Sequence, residues 1–168
     1  MRCLVCLVAA MAIPALLAQR PVATVTSARD FSIGGVQVSP ENVSSWPLTI
    51  GDEVKALTAP VAILFPNNTR IVLAKGSTVT IEKREGAVAV RLMSGTIRYS
   101  LSPKSGVQLF ALHQRIETGN ASLAGVSVAG GKVESFKVDQ NDESFDYLAH
   151  PPDKPPDRSN VHEANPSR

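Results

Sequence analysis

The chain has 168 residues, a net charge of +2 and a hydrophobic fraction of 43%, which suits one domain with terminal extensions. Aromatic residues make up 5% of the chain and are dispersed, which argues against a platform that stacks nucleic-acid bases or sugar rings. We therefore do not expect nucleic acid as a partner that is bound by base stacking.

Residues 1–18 are predicted to be a cleaved signal peptide. Arg2 supplies a positive start, and residues 4–17 form an apolar run shorter than the ~20 residues that a membrane-spanning helix requires. Cleavage after Ala18 exports the rest to the periplasm or the extracellular space, with no transmembrane helix in the mature chain. Retention of this segment as an uncleaved membrane anchor is the open alternative.

Both cysteines, Cys3 and Cys6, lie before the predicted cleavage site, so the mature chain has no thiol. This excludes disulfides, thiolate metal sites and a cysteine nucleophile. An exported domain without disulfides depends on its apolar core.

Short runs of alternating apolar and polar residues fill the middle of the chain. Residues 19–48 form an N-terminal β-leaning segment, and residues 49–138 form the main domain. A period of two places alternate side chains on one face of a strand, so we expect Val90 to point inward and Arg91 to face water. The predicted strands are 22–26, 31–38, 54–57, 61–65, 69–73, 78–82, 87–93, 96–102, 107–118, 122–128 and 132–138.

Turn residues separate these strands. Gly34-Gly35 predicts either a kink or a turn between two halves of the strand 31–38, and Gly130-Gly131 predicts a hairpin turn. Asn67-Asn68 predicts a two-residue hairpin turn because asparagine tolerates positive φ. Trp46-Pro47 marks a boundary, and Ser94-Gly95 is interpreted as a break between two strands. The fold prediction is all-β, either a compact β-sandwich or a short β-solenoid-like domain of about ten short strands.

Residues 139–168 change in character and are predicted to be a disordered, proline-rich acidic tail. They contain three basic and seven acidic residues, a net charge of 3 − 7 = −4, and few large apolar residues. Phe145, Tyr147 and Leu148 are the exception, as an apolar turn able to dock on the domain.

The stretch from Arg70 to Arg115 carries eight basic and two acidic residues. One interpretation is a basic face for an anionic partner, which includes the acidic tail of the same chain. The other is that these residues occupy the solvent side of alternating strands.

Three sequence features suggest catalysis or ligand binding, and each of them lacks a required element. Ser127 lies in a Gly-x-Ser-x-Ala run, but Gly130-Gly131 follows where a nucleophile elbow needs a helix. His113 stands alone among predicted strand residues, and a metal site needs three or four ligands. Gly125 begins a run that fails the phosphate-loop spacing. We therefore predict no catalytic, cofactor-binding or metal-binding residue and no enzymatic activity.

A family resemblance appears in residues 59–79, which read A-P-V-A-I-L-F-P-N-N-T-R-I-V-L-A-K-G-S-T-V. This run resembles the FecR domain of bacterial exported and cell-surface signalling proteins. That family has an apolar strand, a turn usually written Asp-Gly, and a strand ending in leucine. Here Asn67-Asn68 stands at the turn and Leu73 ends the second strand. Residues 92–99 resemble a later strand–glycine–strand step.

The resemblance covers residues 49–138 and implies an exported FecR-like β domain. We expect the anti-sigma, membrane and receptor-contact regions of that family to be lacking, so regulation of a sigma factor is not implied. The predicted function is a non-enzymatic periplasmic or cell-envelope module that binds an unidentified protein or envelope component. The alternative is binding of an anionic polymer, such as polysaccharide, lipopolysaccharide or nucleic acid, through the basic residues from Arg70 to Arg115.

Overall fold

A computed structural model describes residues 20–41, 43, 45–102, 104–118 and 123–138. The predicted signal peptide, residues 1–18, and the whole predicted tail, residues 139–168, therefore lie outside the described residues. The described chain contains strands and turns and no helix, which confirms the all-β prediction. The strands are β1 Ala23–Ser27, β2 Phe31–Ile33, β3 Val36–Val38, β4 Trp46–Leu48, β5 Glu53–Ala56, β6 Val61–Leu64, β7 Arg70–Leu73, β8 Thr78–Arg84, β9 Ala87–Ser100, β10 Gln108–Ala111, β11 Gln114–Arg115, β12 Leu123–Ala129 and β13 Lys132–Lys137.

The 13 strands form one curled sheet that is best described as two sheets sharing β9. Sheet A has the order β4–β1–β6–β7–β9–β12–β13, and sheet B has the order β3–β2–β5–β8–β9–β10–β11. All pairings are antiparallel except β9 with β10, which run parallel. The first part of β9 pairs in sheet B, and the part after Ser94 pairs in sheet A.

Inward side chains of both sheets form a single apolar core. Val25 and Ile63 from sheet A belong to the same cluster as Phe31 and Val54 from sheet B, and all four are fully buried. The curled sheet therefore encloses its core between its two halves. Val90 is also fully buried, as the alternation predicts.

The break predicted at Ser94-Gly95 is wrong, because β9 runs through it as one strand of 14 residues. Met93 is the extra residue of a bulge on β9, since Thr78 pairs with Ser94 and Val79 pairs with Leu92, and Gly95 has a φ of +87°. A bulge reorients a strand without ending it, and together with the positive φ of Gly95 it lets β9 pass from one sheet to the other.

Ser77 holds the bend of β9 in place. Its hydroxyl donates to the Thr96 carbonyl at 2.9 Å and accepts from the Thr96 amide at 2.8 Å. The Ser77 side chain is fully buried, so these two hydrogen bonds satisfy a group that water does not reach.

Three other predictions of local structure need correction. Asn67-Asn68 is part of a three-residue loop, since the Phe65 amide donates to the Thr69 carbonyl and only Asn68 has positive φ. Residues 107–118 form two strands, because the chain turns at Leu112, which has a φ of +53°. The boundary at Trp46-Pro47 is instead β4, an outermost strand, where proline's missing N–H is tolerated.

Candidate functional site

A groove of about 300 Å³ opens on the outer face of sheet B, the face turned away from the core. β8 and β9 supply its floor, and the turn after β10 forms one wall. Alternation puts the groove residues of β8 and β9 on the side opposite Ile81 and Val90. The lining residues are Thr80, Glu82, Arg84, Arg91, Met93, Leu112 and His113.

Arg91 fixes the geometry of this groove. Its Nε and Nη2 atoms donate to the two carboxylate oxygens of Glu82 at 2.7 and 2.8 Å, and its Nη1 atom donates to the Leu112 carbonyl. Arg91 is only 6% exposed, so the prediction that it faces water is wrong. A bidentate, charge-assisted pair of this kind is geometrically specific. The bond to the Leu112 carbonyl ties the β10–β11 turn to the sheet.

The Phe110 ring contacts both arginines of the groove. The guanidinium carbon of Arg84 lies 4.7 Å from the centre of the Phe110 ring, and that of Arg91 lies 5.8 Å from it. Arg84 Nε also donates to a Glu82 carboxylate oxygen at 3.0 Å. Both arginines therefore interact with the same ring and the same carboxylate, and their charges stabilise the fold through these contacts.

Met93 and His113 are the groove residues that reach solvent most freely. The Met93 side chain is 43% exposed although it is apolar, and His113 is exposed at the turn after β10. His113 is therefore a turn residue and not the strand residue that the sequence predicts. Met93 and Leu112 give the groove an apolar contact surface, and the charged side chains of Glu82, Arg84 and Arg91 lie around it.

The Glu82–Arg91 pair makes the folded state sensitive to acid. The hydrogen bond from Arg91 lowers the pKa of Glu82 below its usual 4.5; burial opposes this and the Arg91 charge adds to it. A lowered folded-state pKa gives stability that is complete above the unfolded pKa and is lost as pH falls through the folded pKa. We expect the difference in unfolding free energy between wild type and Glu82→Gln to be constant well above pH 4.5 and to shrink below it.

Urea titrations over a series of pH values measure this difference. Glu53→Gln is the matched control, because Glu53 is an exposed carboxylate on β5 of the same sheet. This control should keep the acid-side loss of the wild type. An acid-side loss in Glu82→Gln as large as that of the wild type would contradict the assignment.

Ser127 and His113, which the sequence analysis considered for catalysis or metal binding, lie in different sheets or turns and form no shared site. Ser127 lies in β12, where its hydroxyl accepts from Thr96 Oγ1 at 3.1 Å, as expected of a strand residue. Gly130-Gly131 forms the β12–β13 hairpin turn. His113 lies in the turn between β10 and β11 of sheet B, whereas Ser127 belongs to sheet A. Among the described residues, no group of three metal-ligating side chains occurs.

The basic residues from Arg70 to Arg115 are divided between surfaces. Arg70 and Arg98 share cross-strand rows with the outward side chains of sheet A. Arg84 and Arg91 lie on the outer face of sheet B. These four arginines therefore do not share one face.

Sequence reasoning missed the Glu82–Arg91 pair, although a signal was present. The Glu85-Gly86 turn pairs Arg84 with Ala87, and this register makes Glu82 and Arg91 diagonal neighbours on one face. Opposite charges at diagonal positions of a hairpin are within reach of long side chains. The burial of Arg91 has no such signal, because Phe110 and Leu112 arrive from β10 and its turn.

These features define an all-β protein with a groove on one sheet, beside the Glu82–Arg91 ion pair. Comparison of the chain with family models, with curated proteins and with solved structures gives no match. The part of the chain described by the structure includes no helix with the length and hydrophobicity needed to cross a membrane.

Proposed function

We propose that this chain is a non-enzymatic, exported FecR-like β domain that binds a protein or another envelope component through the groove on sheet B. The single observation that carries the proposal is the exposed Met93 side chain within a groove whose charged groups are already paired. Paired charges position a surface, whereas acid–base catalysis needs groups that exchange protons near working pH.

The groove suggests the chemistry of its partner. Met93 and Leu112 offer apolar contact, and methionine adapts its shape to different apolar side chains. His113 and the half-exposed Arg84 add polar groups at the rim. We infer that the bound element is a protein segment that places one apolar side chain against Met93.

The alternative, binding of an anionic polymer, has weaker support. An electrostatic binding surface concentrates positive charge on one face, and here the arginines are divided between the outer faces of two sheets. Arg91 and Arg84 also share the carboxylate of Glu82. A heparin column at low salt distinguishes the two functions, since a polymer binder is retained and elutes at higher salt.

A capture experiment with matched variants tests the proposal. The purified protein is immobilised and exposed to envelope extract, and captured proteins are then purified and titrated individually. We expect Met93→Lys to weaken binding of the specific partner at least tenfold, because it places a charge against an apolar contact.

The control is Val36→Lys, which makes the same kind of change at a side chain that is 68% exposed on β3, away from the groove. This variant should bind as the wild type does. Equal binding by wild type and Met93→Lys would overturn the assignment of the groove.

A further inference from the structure

The outer face of sheet A carries a small apolar cluster that is separate from the core. We call Ala62, Leu64, Val72 and Leu123 the outer strip. These residues lie on cross-strand rows of β6, β7, β9 and β12, and their neighbours Ile63 and Ile71 point the other way into the core. The outer strip therefore faces away from the interior that the two sheets enclose.

The centre of the outer strip is buried. Ala62 is 2% and Val72 is 1% exposed, values as low as those of core residues. Every described strand belongs to the one curled sheet, so no described strand forms a second layer over this face. Thr26, which pairs with Ala62, has a buried hydroxyl without a hydrogen-bond partner. Buried hydroxyls normally have a partner, so a covering element with polar groups fits this face.

Positive charge flanks the outer strip. Arg98 pairs with Val72, and Arg70 pairs with Leu64, so both arginines share its rows. Arg98 also stacks on the Phe136 ring, with 5.9 Å between the guanidinium carbon and the ring centre. An element that covers the strip therefore meets two guanidinium groups, which favour carboxylates.

The chain itself leaves the sheet at the level of the outer strip. Lys137 at the end of β13 pairs with Ala124, which pairs with Tyr99, which pairs with Ile71. β13 is three strand positions from β7, a distance of about 14 Å at the usual spacing of neighbouring strands. An extended chain advances about 3.3 Å per residue, so about five residues cross this distance.

Residues 139–148 have the chemistry that the face requires. They contain four acidic and no basic residues, together with Phe145, Tyr147 and Leu148. We propose that this segment folds back over the outer face of sheet A, with its apolar side chains on the outer strip and its carboxylates facing Arg70 and Arg98. This interaction is independent of the groove on sheet B.

Intramolecular crosslinking tests the proposal on the full chain. Cys3 and Cys6 are replaced by serine, and paired cysteines are introduced as Leu64→Cys with Tyr147→Cys. The control pair is Glu134→Cys with Tyr147→Cys; Glu134 lies on β13, closer in sequence to Tyr147. A freely moving segment reaches the nearer site more readily. We expect a short thiol-to-thiol crosslinker to join the Leu64 pair several-fold more efficiently than the control pair.

Charge variants sharpen the test. Arg70→Glu with Arg98→Glu should abolish the preference for the Leu64 pair, and unchanged β circular dichroism shows that the fold persists. Lys83→Glu with Arg115→Glu, both exposed on sheet B, should leave the preference intact. Higher yield for the Glu134 pair, or crosslinks found only between two molecules, would overturn the proposal.

Discussion

Gly95→Ala is expected to lower the free energy of unfolding by about 4 kcal/mol or more, a loss that only a few mechanisms produce. A Cβ atom at this position would lie 2.6 Å from the Ser77 Cα atom and 2.4 Å from the Ser77 Oγ atom. The clash involves backbone, so no side-chain rotation relieves it. It would also displace the hydroxyl that holds Thr96. The positive φ of Gly95 adds about 1–2 kcal/mol of strain.

Gly86→Ala separates the two contributions. Gly86 has a φ of +83°, close to that of Gly95, but a Cβ atom added at Gly86 would have no other atom within 4 Å. Its alanine variant should therefore lose only the strain of about 1–2 kcal/mol. Urea titrations of both variants and the wild type measure the comparison. Equal losses would show that the close approach to Ser77 contributes nothing.

Val90→Asp and Arg91→Asp are both expected to be severe. The alternation predicts a contrast, with Arg91→Asp costing under about 1 kcal/mol on the solvent side. The structure removes the reason for that contrast, because Arg91 is buried and its guanidinium donates hydrogen bonds to Glu82 and to the Leu112 carbonyl. An aspartate at position 91 removes these bonds and sets a second carboxylate beside Glu82. Breaking a buried pair costs about 3–5 kcal/mol, and because the Glu82 side chain is 28% exposed the loss at position 91 is expected near the lower end of that range. Burying a lone carboxylate at position 90 costs several kcal/mol.

Lys83→Asp is the matched control in the same hairpin. Lys83 is exposed on β8, so its charge reversal should change the free energy of unfolding by no more than about 0.5 kcal/mol. All three variants are compared in one unfolding titration. A small effect of Arg91→Asp, equal to that of Lys83→Asp, would show that the Arg91 guanidinium is dispensable to the fold.

Local patterns in the sequence predict much of this fold. Alternation identifies the inward position of Val90, and paired glycines identify the hairpin at Gly130-Gly131. At Gly34-Gly35 the sequence allows a kink or a turn, and the structure has a hairpin. The same reasoning fails at Ser94-Gly95, because a small residue followed by glycine suits a turn and a bulge equally well. It also fails at Leu112, since nothing local indicates positive φ at a leucine.

Long-range order is less accessible from sequence. The parallel pairing of β10 with β9 brings Phe110 against Arg91, and no short-range signal specifies this partner. The groove depends on that pairing, because it places Leu112 where its carbonyl accepts from Arg91. The candidate site was therefore only partly predictable, through the hairpin register that brings Glu82 near Arg91.

β9 couples the stability of the two sheets, because it pairs with strands in both of them. Since its first residues pair with β8 and β10 and its last with β7 and β12, fraying of this strand removes partners from both halves together. Loss of pairing in one half would therefore weaken the other, and we expect unfolding to be cooperative, as in small single domains. Proteolytic cleavage within the described strands would then follow the equilibrium of global unfolding.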